Sequence, residues 1–510
     1  MRIALVLAAA LFATSALAAP HPRDAEIKDA DTRAWWHATE ALSGDDMEGR
    51  DVASPAYDRA AHLVADRFAK AGLKPAGEHG TWFQEVPLHE VAVTSASFAL
   101  VRPDGGQAPL VFLHQISIRP TEDSPAGLEA PLAFRGYCAP ADLTDMAGKI
   151  AVCFNTRRKG LTTAAQRIAA AQAAGAVGVV QVDDPGFTIE PYRWPAAYAR
   201  AIAFADAKPA PAIPAMTLSP DGFEAMIAGS GQSAAAILKA GGDKQPLPAF
   251  DIPSRLKLSL TLARRDYTSK NVLGVLPGTD PALARQNLVL SAHLDGYGFG
   301  EPVGGDRLYN GALDDAAYVA LLVRLAERRH GHGYRRSVVF AAFTGEEKGL
   351  LGANWYVKHP TVPADSLVAD LNLDQLRPLF PLKILTALAV DDTSLGATAR
   401  QVAGSMGIEI RPDHEPERGL LGRADHWPFM GIGVPAIGFI FGFDPGTEAE
   451  ARYREWYRVR YHRPQDDLTQ PMDFDAATRF NSFFYKLTAA VADAEARPSW
   501  TPGSPLAPKP

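Results

Sequence analysis

Short apolar runs alternate with helical patterns through the second half of the chain. Runs of four to eight apolar residues between helices are typical of strands buried on both faces of a largely parallel sheet. We therefore predict an α/β fold with a mostly parallel mixed sheet flanked by helices. The strand-like runs are NVLGVLPG (271–278), QNLVLSAH (286–293), RRSVVFAAF (335–343), SLVADLNLD (366–374) and VPAIGFIFG (434–442), and DDAAYVALLVRLAERRHG (314–331) has helical spacing.

A different unit precedes this pattern and has its own apolar periodicity. It follows the order strand, strand, helix, strand, in APLAFRGYC (130–138), AGKIAVCFN (147–155), TTAAQRIAAAQAAG (162–175) and AVGVVQV (176–182). We predict that residues 106–253 form a smaller inserted α+β domain. Residues 27–105 and 254–495 would then form the larger, discontinuous domain, and the Pro-rich end, 496–510, is predicted to be disordered.

The N-terminus has the pattern of a secretory signal peptide. Arg2 precedes an apolar run that ends in the small-x-small sequence Ala16-Leu17-Ala18. A core helix or a membrane anchor is the alternative, but the run is shorter than the ~20 residues that a spanning helix needs. We therefore expect residues 1–18 to be removed and the protein to be periplasmic or secreted, without membrane insertion after cleavage.

Composition and charge narrow the function classes. The 510 residues carry a formal net charge of −7, and no basic block marks a nucleic-acid partner. The chain has two cysteines, Cys138 and Cys153, and neither belongs to a zinc-binding or redox pair motif. They form either a disulfide or two buried thiols; export favours the disulfide.

Polar side chains follow several of the predicted strands where each strand ends. In open α/β sheets, ligands bind beyond the carboxyl ends of the strands. Each acid or histidine alone is commonly a turn, capping or structural residue, but the set places many acids at one rim, and their repulsion calls for cations. The set comprises His293, Asp295, Asp314, Asp315, Glu346, Glu347, Asp374, His462 and Asp466.

The residue types in this set predict a pair of zinc ions. Zinc takes histidine nitrogen and carboxylate oxygen, and two metals roughly 3.5–4 Å apart need a bridging carboxylate. Asp295 follows His293 by two residues and is expected to hold the second ring nitrogen, as Asp466 is for His462. The sequence lacks the HExxH, GxSxG and P-loop motifs.

The ordered motifs H-x-D, GAxDD, EE, NLD and YH resemble metallopeptidase family 28, whose members are di-zinc exopeptidases. LSGDDMEGR (42–50) and ADHWPF (424–429) extend the resemblance, and the insert resembles a protease-associated domain. The resemblance implies that Asp314 bridges two zinc ions. It also implies that His293 and Asp374 complete one site, and that Glu347 and His462 complete the other. Glu346 is implied to be the general base.

The same resemblance implies further site residues. Tyr461 matches a tyrosine that polarises the scissile carbonyl in some members, with a packed aromatic as the alternative. Asp425 and His426 match a motif that lines the pocket, and His426 is the expected substrate contact. The chain departs from the family pattern at Tyr318, where glycine is usual, and at Ala424, where serine is usual.

An aminopeptidase acting on peptide substrates is the function that the resemblance favours. A metal-bound hydroxide would attack the peptide carbonyl and Glu346 would move the proton. The alternatives are a carboxypeptidase or an N-terminal glutamine cyclotransferase on the same centre and, from another class, a non-catalytic binding protein. The insert is expected to be a lid, a specificity wall or a dimer contact. The sequence leaves the side-chain preference and the oligomeric state open.

Overall fold

The computed structural model describes residues 21–186, 194–208, 212–374 and 376–508. The predicted signal peptide, residues 1–18, lies outside the described residues. Within the part of the chain that is described, no helix has the length and apolar character needed to cross a membrane.

The strands and helices follow one another as listed here. The strands are β1 (Lys74–Pro75), β2 (Phe83–Val101), β3 (Gln107–Leu110), β4 (Ile116–Arg119), β5 (Gly127–Arg135), β6 (Ile150–Asn155), β7 (Gly178–Asp183), β8 (Arg200–Phe204), β9 (Ala215–Leu218), β10 (Ala249–Leu276), β11 (Asn287–His293), β12 (Gly298–Val303), β13 (Asp306–Tyr309), β14 (Ser337–Phe343), β15 (Leu367–Asn372), β16 (Ile384–Leu388), β17 (Glu409–Pro412) and β18 (Ala436–Gly442). The helices are α1 (Ala30–Ser43), α2 (Pro55–Lys70), α3 (Ala164–Ala173), α4 (Pro220–Ile227), α5 (Ala234–Gly242), α6 (Ala317–Arg329), α7 (Leu351–Lys358), α8 (Ser394–Gly404), α9 (His426–Gly431), α10 (Glu448–Val459) and α11 (Phe474–Ala492).

The larger domain is a mixed sheet in the order β17-β16-β18-β15-β11-β14-β10. The four central strands β18, β15, β11 and β14 run parallel to one another. Strand β10 is antiparallel to β14, and β16 is antiparallel to β18. The parallel strands are buried along their whole length, as their continuous apolar sequences require.

Helices cover both faces of this sheet. Alternate residues of β14 pack into two different clusters: Phe340 belongs to the cluster that includes α1, α2, α6 and α11, and Val339 to the cluster that includes α7 and α9. The predicted fold class, a mostly parallel mixed sheet flanked by helices, is confirmed. Because β11, β14 and β15 are parallel, the residues that follow them meet at one rim.

The insert is a second sheet with its own apolar core. Strands β5, β6, β7 and β9 are parallel neighbours, and β4 pairs antiparallel with β9. The core contains residues from these strands and from α4 and α5. Cys138 and Cys153 form a disulfide, with an S–S distance of 2.08 Å.

A long ribbon joins the two sheets. Strand β10 pairs with β5 of the insert at one end and with β14 of the larger sheet at the other. Between these ends it pairs with β2 from Arg255↔Val101 to Val272↔Phe83. The boundary predicted at 253/254 therefore falls inside strand β10, at a register shift in its pairing with β5 between Ile252 and Arg255, and the two domains are joined through this strand.

The Pro-rich end does not follow the prediction of disorder over residues 496–508. Trp500 pairs with Thr393 in an isolated bridge, and its indole Nε1 donates to the carbonyl of Gly433 at 2.7 Å. Leu506 packs against the cluster that includes α9. The expectation of disorder rested on the proline content of this segment. These two apolar side chains bury surface against the rest of the protein, which favours an ordered conformation.

Candidate metal centre

Two overlapping groups of ligand atoms lie at the carboxyl ends of the parallel strands. We call them the His293 group (His293, Asp314 and Asp374) and the His462 group (Asp314, Glu347 and His462). In each group the ligand atoms lie within 4.8 Å of one another, and Asp314 belongs to both. Nε2 of His293 lies 3.4 Å from one carboxylate oxygen of Asp314, and Nε2 of His462 lies 3.5 Å from the other. The structure thus brings together the five ligands implied by the resemblance.

Strand ends position most of these ligands. His293 is the last residue of β11, Asp374 follows β15 by two residues, and Glu346 and Glu347 follow β14 in a short 3-10 turn. His462 comes from the loop after α10. Its Nε2 lies 3.4 Å from Oε2 of Glu347.

Asp314 lies in an irregular turn before α6 that several buried groups hold in place. The backbone N–H groups of Leu313 and Asp314 each donate to the carboxylate of Asp466 at 3.0 Å. Arg50, which ends the LSGDDMEGR stretch, is fully buried and donates to the carbonyls of Asn310 and Gly311. These contacts hold the backbone of the Asp314 turn, while the carboxylate itself lies against His293, Arg377 and His462.

This geometry corrects the role predicted for Asp466. Its carboxylate accepts from Leu313, Asp314 and Gln470 rather than from the ring of His462. The chain turns after His462, so that four residues later it faces the Asp314 turn. Nδ1 of His462 instead lies 2.5 Å from the hydroxyl of Tyr198, a residue of the insert.

The role predicted for Asp295 is also corrected. Nδ1 of His293 donates to the backbone carbonyl of Asp295 at 3.0 Å, while the Asp295 carboxylate lies farther away, at 3.8 Å. That carboxylate accepts from the N–H of Glu346 at 3.0 Å and so orients the glutamate pair. Asp315 is likewise a support: its carboxylate accepts from the N–H of His293 at 3.1 Å.

The centre concentrates buried acids whose pKa values depart from ordinary ones. Burial, reinforced by Asp314, raises the pKa of Glu347 to about 8. Burial also raises the pKa of Glu346 well above its usual value. It would do the same for Asp314, but Arg377 and both histidines outweigh it and lower the pKa of that carboxyl. Charges this close are costly without a cation among them.

The side chains fit zinc. Nε2 of His293, one carboxylate oxygen of Asp314 and one of Glu347 are buried, and none has a hydrogen-bond partner among the described residues. Buried polar atoms are normally satisfied, so three such atoms from residues of these groups indicate a site for a cation. Two imidazole nitrogens with carboxylate oxygens are a donor set that zinc prefers.

Glu346 lies beside the ligands. Its Oε2 is 3.9 Å from Nε2 of His293, and His293, Glu346 and Glu347 also bring ligand atoms within 4.8 Å of one another. The carboxylate of Glu346 belongs to neither of the two overlapping groups that share Asp314. The two adjacent glutamates therefore face the centre from different positions.

The other predicted site residues surround the centre at different distances. The ring of Tyr461 stacks on that of His462, with centroids 3.6 Å apart, and its hydroxyl accepts from Arg423 at 3.2 Å. Asp425 is buried, and burial raises the pKa of its carboxyl. Asp295 and Asp374 raise this pKa further, whereas His293 lowers it. His426 is fully buried, and its Nδ1 meets Asn372 Oδ1 at 3.3 Å, so the expected substrate contact is not supported for this residue.

The two departures from the family pattern have structural outcomes. Tyr318 is buried in α6 and packs edge-on against Phe480, with ring centroids 6.3 Å apart. It fills the space between α6 and α11 and reaches no ligand. Ala424 is buried directly before Asp425.

Sequence reasoning missed four residues of the centre. Arg377 is fully buried, lies 3.4 Å from Asp314 and donates to the carbonyl of Asp374 at 2.6 Å. Tyr297 donates to Oε2 of Glu347 at 2.5 Å. Arg50 and Tyr198 are described above. The positions of Tyr297 and Arg377, two or three residues after Asp295 and Asp374, are the only sequence signal that pointed to them.

Comparison with known proteins agrees with this geometry. The family model described as "Peptidase family M28" matches residues 271–488, which contain every ligand of both groups. The chain is therefore similar to peptidase family M28 over these residues. The model described as "PA domain" matches residues 107–221, inside the insert. The resemblance inferred from the motifs is thereby confirmed.

Individual relatives match parts of the chain. The "Leupeptin-inactivating enzyme 1" of Streptomyces exfoliatus is 27% identical over 221 residues, which are 42% of this chain and 46% of the relative. The "probable leucine aminopeptidase 2" of Aspergillus oryzae is 27% identical over 225 residues, 40% of this chain and 41% of the relative. The chain thus spans about half the length, or less, of these curated relatives.

Solved structures share the fold of this chain along nearly its whole length. The structure titled "Aminopeptidase from Aneurinibacillus sp. strain AM-1" has a TM-score of 0.61 at 18% identity and covers 91% of this chain and 95% of that one. A zinc aminopeptidase from Bacillus subtilis has a TM-score of 0.57 at 20% identity, with 91% and 95% covered. At these identities the likeness shows a shared fold, insert included.

Proposed function

We propose that the chain is a zinc-dependent aminopeptidase, which binds two zinc ions and hydrolyses N-terminal residues from peptides. The observation that carries the proposal is the buried carboxylate of Asp314, shared by two ligand groups with Glu346 beside them. Several similar proteins are named aminopeptidases, which supports the same proposal. Export, inferred from residues 1–18, belongs to the proposal and suits an enzyme that acts on external peptides.

The chain's own residues have distinct tasks in this mechanism. Zinc bound by the two groups would activate a water molecule and polarise the peptide carbonyl. Glu346 accepts a proton from the attacking water and returns it to the leaving amine. The N–H of Glu346, held by Asp295, keeps its carboxylate beside His293. Tyr461, stacked on His462, is assigned the stabilisation of the carbonyl oxygen.

Because the site is buried, it also excludes water from the groups that take part in proton transfer. Glu347 and Asp374 are acceptor-only side chains when ionised, and the Arg377 guanidinium lies 3.4 Å from the Asp314 carboxylate. Interactions between charges are stronger in such a site than in solvent. Proton transfer through one positioned carboxylate typically contributes 10²- to 10⁴-fold to a rate, which is the magnitude we assign to Glu346.

A substrate panel tests the proposal. Purified protein with zinc is assayed on aminoacyl chromogenic substrates, on the same substrates with an acetylated amine, and on peptides with a blocked C-terminus. We expect turnover that requires the free amine, and the Glu346→Gln variant serves as the inactive matched control.

Other outcomes of the panel would replace the proposal. Release of C-terminal residues from N-blocked peptides indicates a carboxypeptidase, and ring closure of N-terminal glutamine indicates a cyclotransferase. Binding of peptides without turnover by any zinc-loaded sample indicates a binding protein on a peptidase fold.

A further inference from the structure

One segment of the insert leaves its own sheet and reaches the metal centre. Residues 196–199 form a 3-10 turn, and the following strand β8 pairs with β2, with Arg200 opposite Ala92. Ala197 packs in a small cluster with Tyr297 and Tyr309 of the larger domain. This turn, which we call the 196–199 turn, therefore forms part of the wall beside the His462 group.

Tyr198 of this turn contacts a predicted zinc ligand. Its hydroxyl lies 2.5 Å from Nδ1 of His462, and the two rings meet edge-on at 86°. Nε2 of the same imidazole faces Asp314 and Glu347. A histidine that offers Nε2 to a metal carries its proton on Nδ1, and the partner of that proton fixes the ring and its tautomer.

The register of the 196–199 turn is fixed by charge. Arg200 donates to Oδ2 of Asp51 and to Oε2 of Glu90, both at 2.6 Å. Glu90 is buried and also accepts from Arg265 and from the hydroxyl of Tyr267. Since Tyr198 is two residues from Arg200, this network anchors the chain next to Tyr198.

His462 itself lacks the support of regular structure. It lies in a loop with a φ of +52°, in the left-handed region that a residue with a side chain rarely adopts. His293, in contrast, ends a regular strand and donates Nδ1 to a carbonyl only two residues away. The His462 ring therefore depends on contacts from other parts of the chain.

We propose that Tyr198 is a positioning residue for His462, so that the insert helps the His462 group to bind its zinc while the His293 group binds without it. The inference rests on the proposed two-zinc centre. Removal of the hydroxyl leaves every ligand in place but takes away the shortest contact of Nδ1, so that only the Tyr297 hydroxyl at 3.2 Å and the stacked ring of Tyr461 remain to orient the imidazole. Loss of such a supporting hydrogen bond typically lowers metal affinity 10- to 100-fold.

The test compares Tyr198→Phe with the parent and with Tyr137→Phe. Tyr137 is a matched control because it lies in the insert and its hydroxyl donates to the carbonyl of Gln245, remote from both ligand groups. Metal-free samples are titrated with zinc against a chromophoric chelator, which yields two stepwise constants. Zinc-edge anomalous scattering from crystals then assigns each constant to a group.

We expect Tyr198→Phe to weaken zinc binding about 10- to 100-fold at the His462 group alone, with the melting temperature of the metal-free protein and the Tyr137→Phe constants unchanged. Arg200→Gln, which displaces the 196–199 turn instead of removing the hydroxyl, should weaken the same zinc. Unchanged constants in Tyr198→Phe, or equal loss at both groups, overturn the inference. A parent that binds fewer than two zinc ions overturns the proposed function instead.

Discussion

The two ligand groups share Asp314 yet are held in different ways. His293 ends β11, and residues within the same α/β core hold its ring and its backbone: the carbonyl of Asp295 meets Nδ1, and Asp315 meets the N–H. His462 lies in a loop at a left-handed φ, which costs a residue with a side chain about 1–2 kcal/mol. Its ring stacks on Tyr461 and contacts the hydroxyl of Tyr297, and its shortest contact is with Tyr198, from a domain that is remote in sequence.

This difference indicates that the His293 group is held more rigidly than the His462 group. A strand end inherits its position from the hydrogen-bonded ladder, which includes β14 and β15 on either side of β11. The position of a ligand in a loop depends on the residues that pack against it. We therefore expect the His293 group to tolerate changes elsewhere in the protein, and the His462 group to respond to changes in the insert and in the ribbon.

The largest effect is expected from Asp314→Ala, because this residue belongs to both groups. The variant should lose both zinc ions and at least about 10⁴-fold in kcat/KM. Elemental analysis of the dialysed protein, with activity measured alongside, checks this. Full retention of zinc at either group in this variant would contradict the shared carboxylate.

Glu346→Gln should separate chemistry from metal binding. Because Glu346 belongs to neither of the groups that share Asp314, both zinc ions should remain while kcat falls about 10²- to 10⁴-fold. Asp295→Asn, which alters the group that accepts from the Glu346 N–H, is a milder companion. A Glu346→Gln variant that turns over peptides at the parent rate would remove Glu346 from the mechanism.

The single-ligand variants His462→Ala and His293→Ala address the comparison itself. In His462→Ala the zinc of the His293 group should keep its affinity within about tenfold, because the ladder still positions His293 and Asp374, and Asp466 and Arg50 still hold the Asp314 turn. Zinc titration of both variants measures this. If His462→Ala abolished both zinc sites as completely as Asp314→Ala, the two groups would be one cooperative unit and the comparison would fail.

The smallest effect concerns the charge network that anchors the 196–199 turn. Burial would raise the pKa of Glu90, but Arg200 and Arg265 outweigh it and lower that pKa. A lowered pKa in the folded protein contributes stability above the unfolded value of about 4.3, and that stability is lost as pH falls through the folded pKa.

Glu90→Gln should therefore lower the free energy of unfolding of the metal-free protein by about 1.5–3 kcal/mol at pH 6. The difference in the free energy of unfolding between the variant and the parent should shrink as the pH is lowered below 4. Glu90 of the parent then becomes protonated and, like the glutamine, carries no charge. Chemical denaturation from pH 6 to pH 3 provides the measurement. A difference that grows towards low pH would contradict the sign of this linkage.

Much of the centre could be predicted from sequence because its ligands follow buried strands. His293, Glu347 and Asp374 lie at or just after the ends of apolar runs. A parallel sheet therefore brings them to one rim, independently of the conformation of the loops. The family resemblance added their roles, and His462 came from that resemblance rather than from periodicity.

The supports of the centre could not be predicted, because they depend on how loops fold back. Spacing placed Asp295 near His293 but could not distinguish its carbonyl from its carboxylate. Asp466 is four residues from His462, yet it faces the Asp314 turn after a change of chain direction. Tyr198 lies 264 residues from His462 in a different domain, a separation that no local pattern spans.

Zinc-edge anomalous scattering from crystals of the parent protein tests the central claim most directly. The account predicts two peaks roughly 3.5–4 Å apart, one on each side of the Asp314 carboxylate, with His293 and Asp374 on one and Glu347 and His462 on the other. A single peak, or two peaks that do not share Asp314, would contradict it.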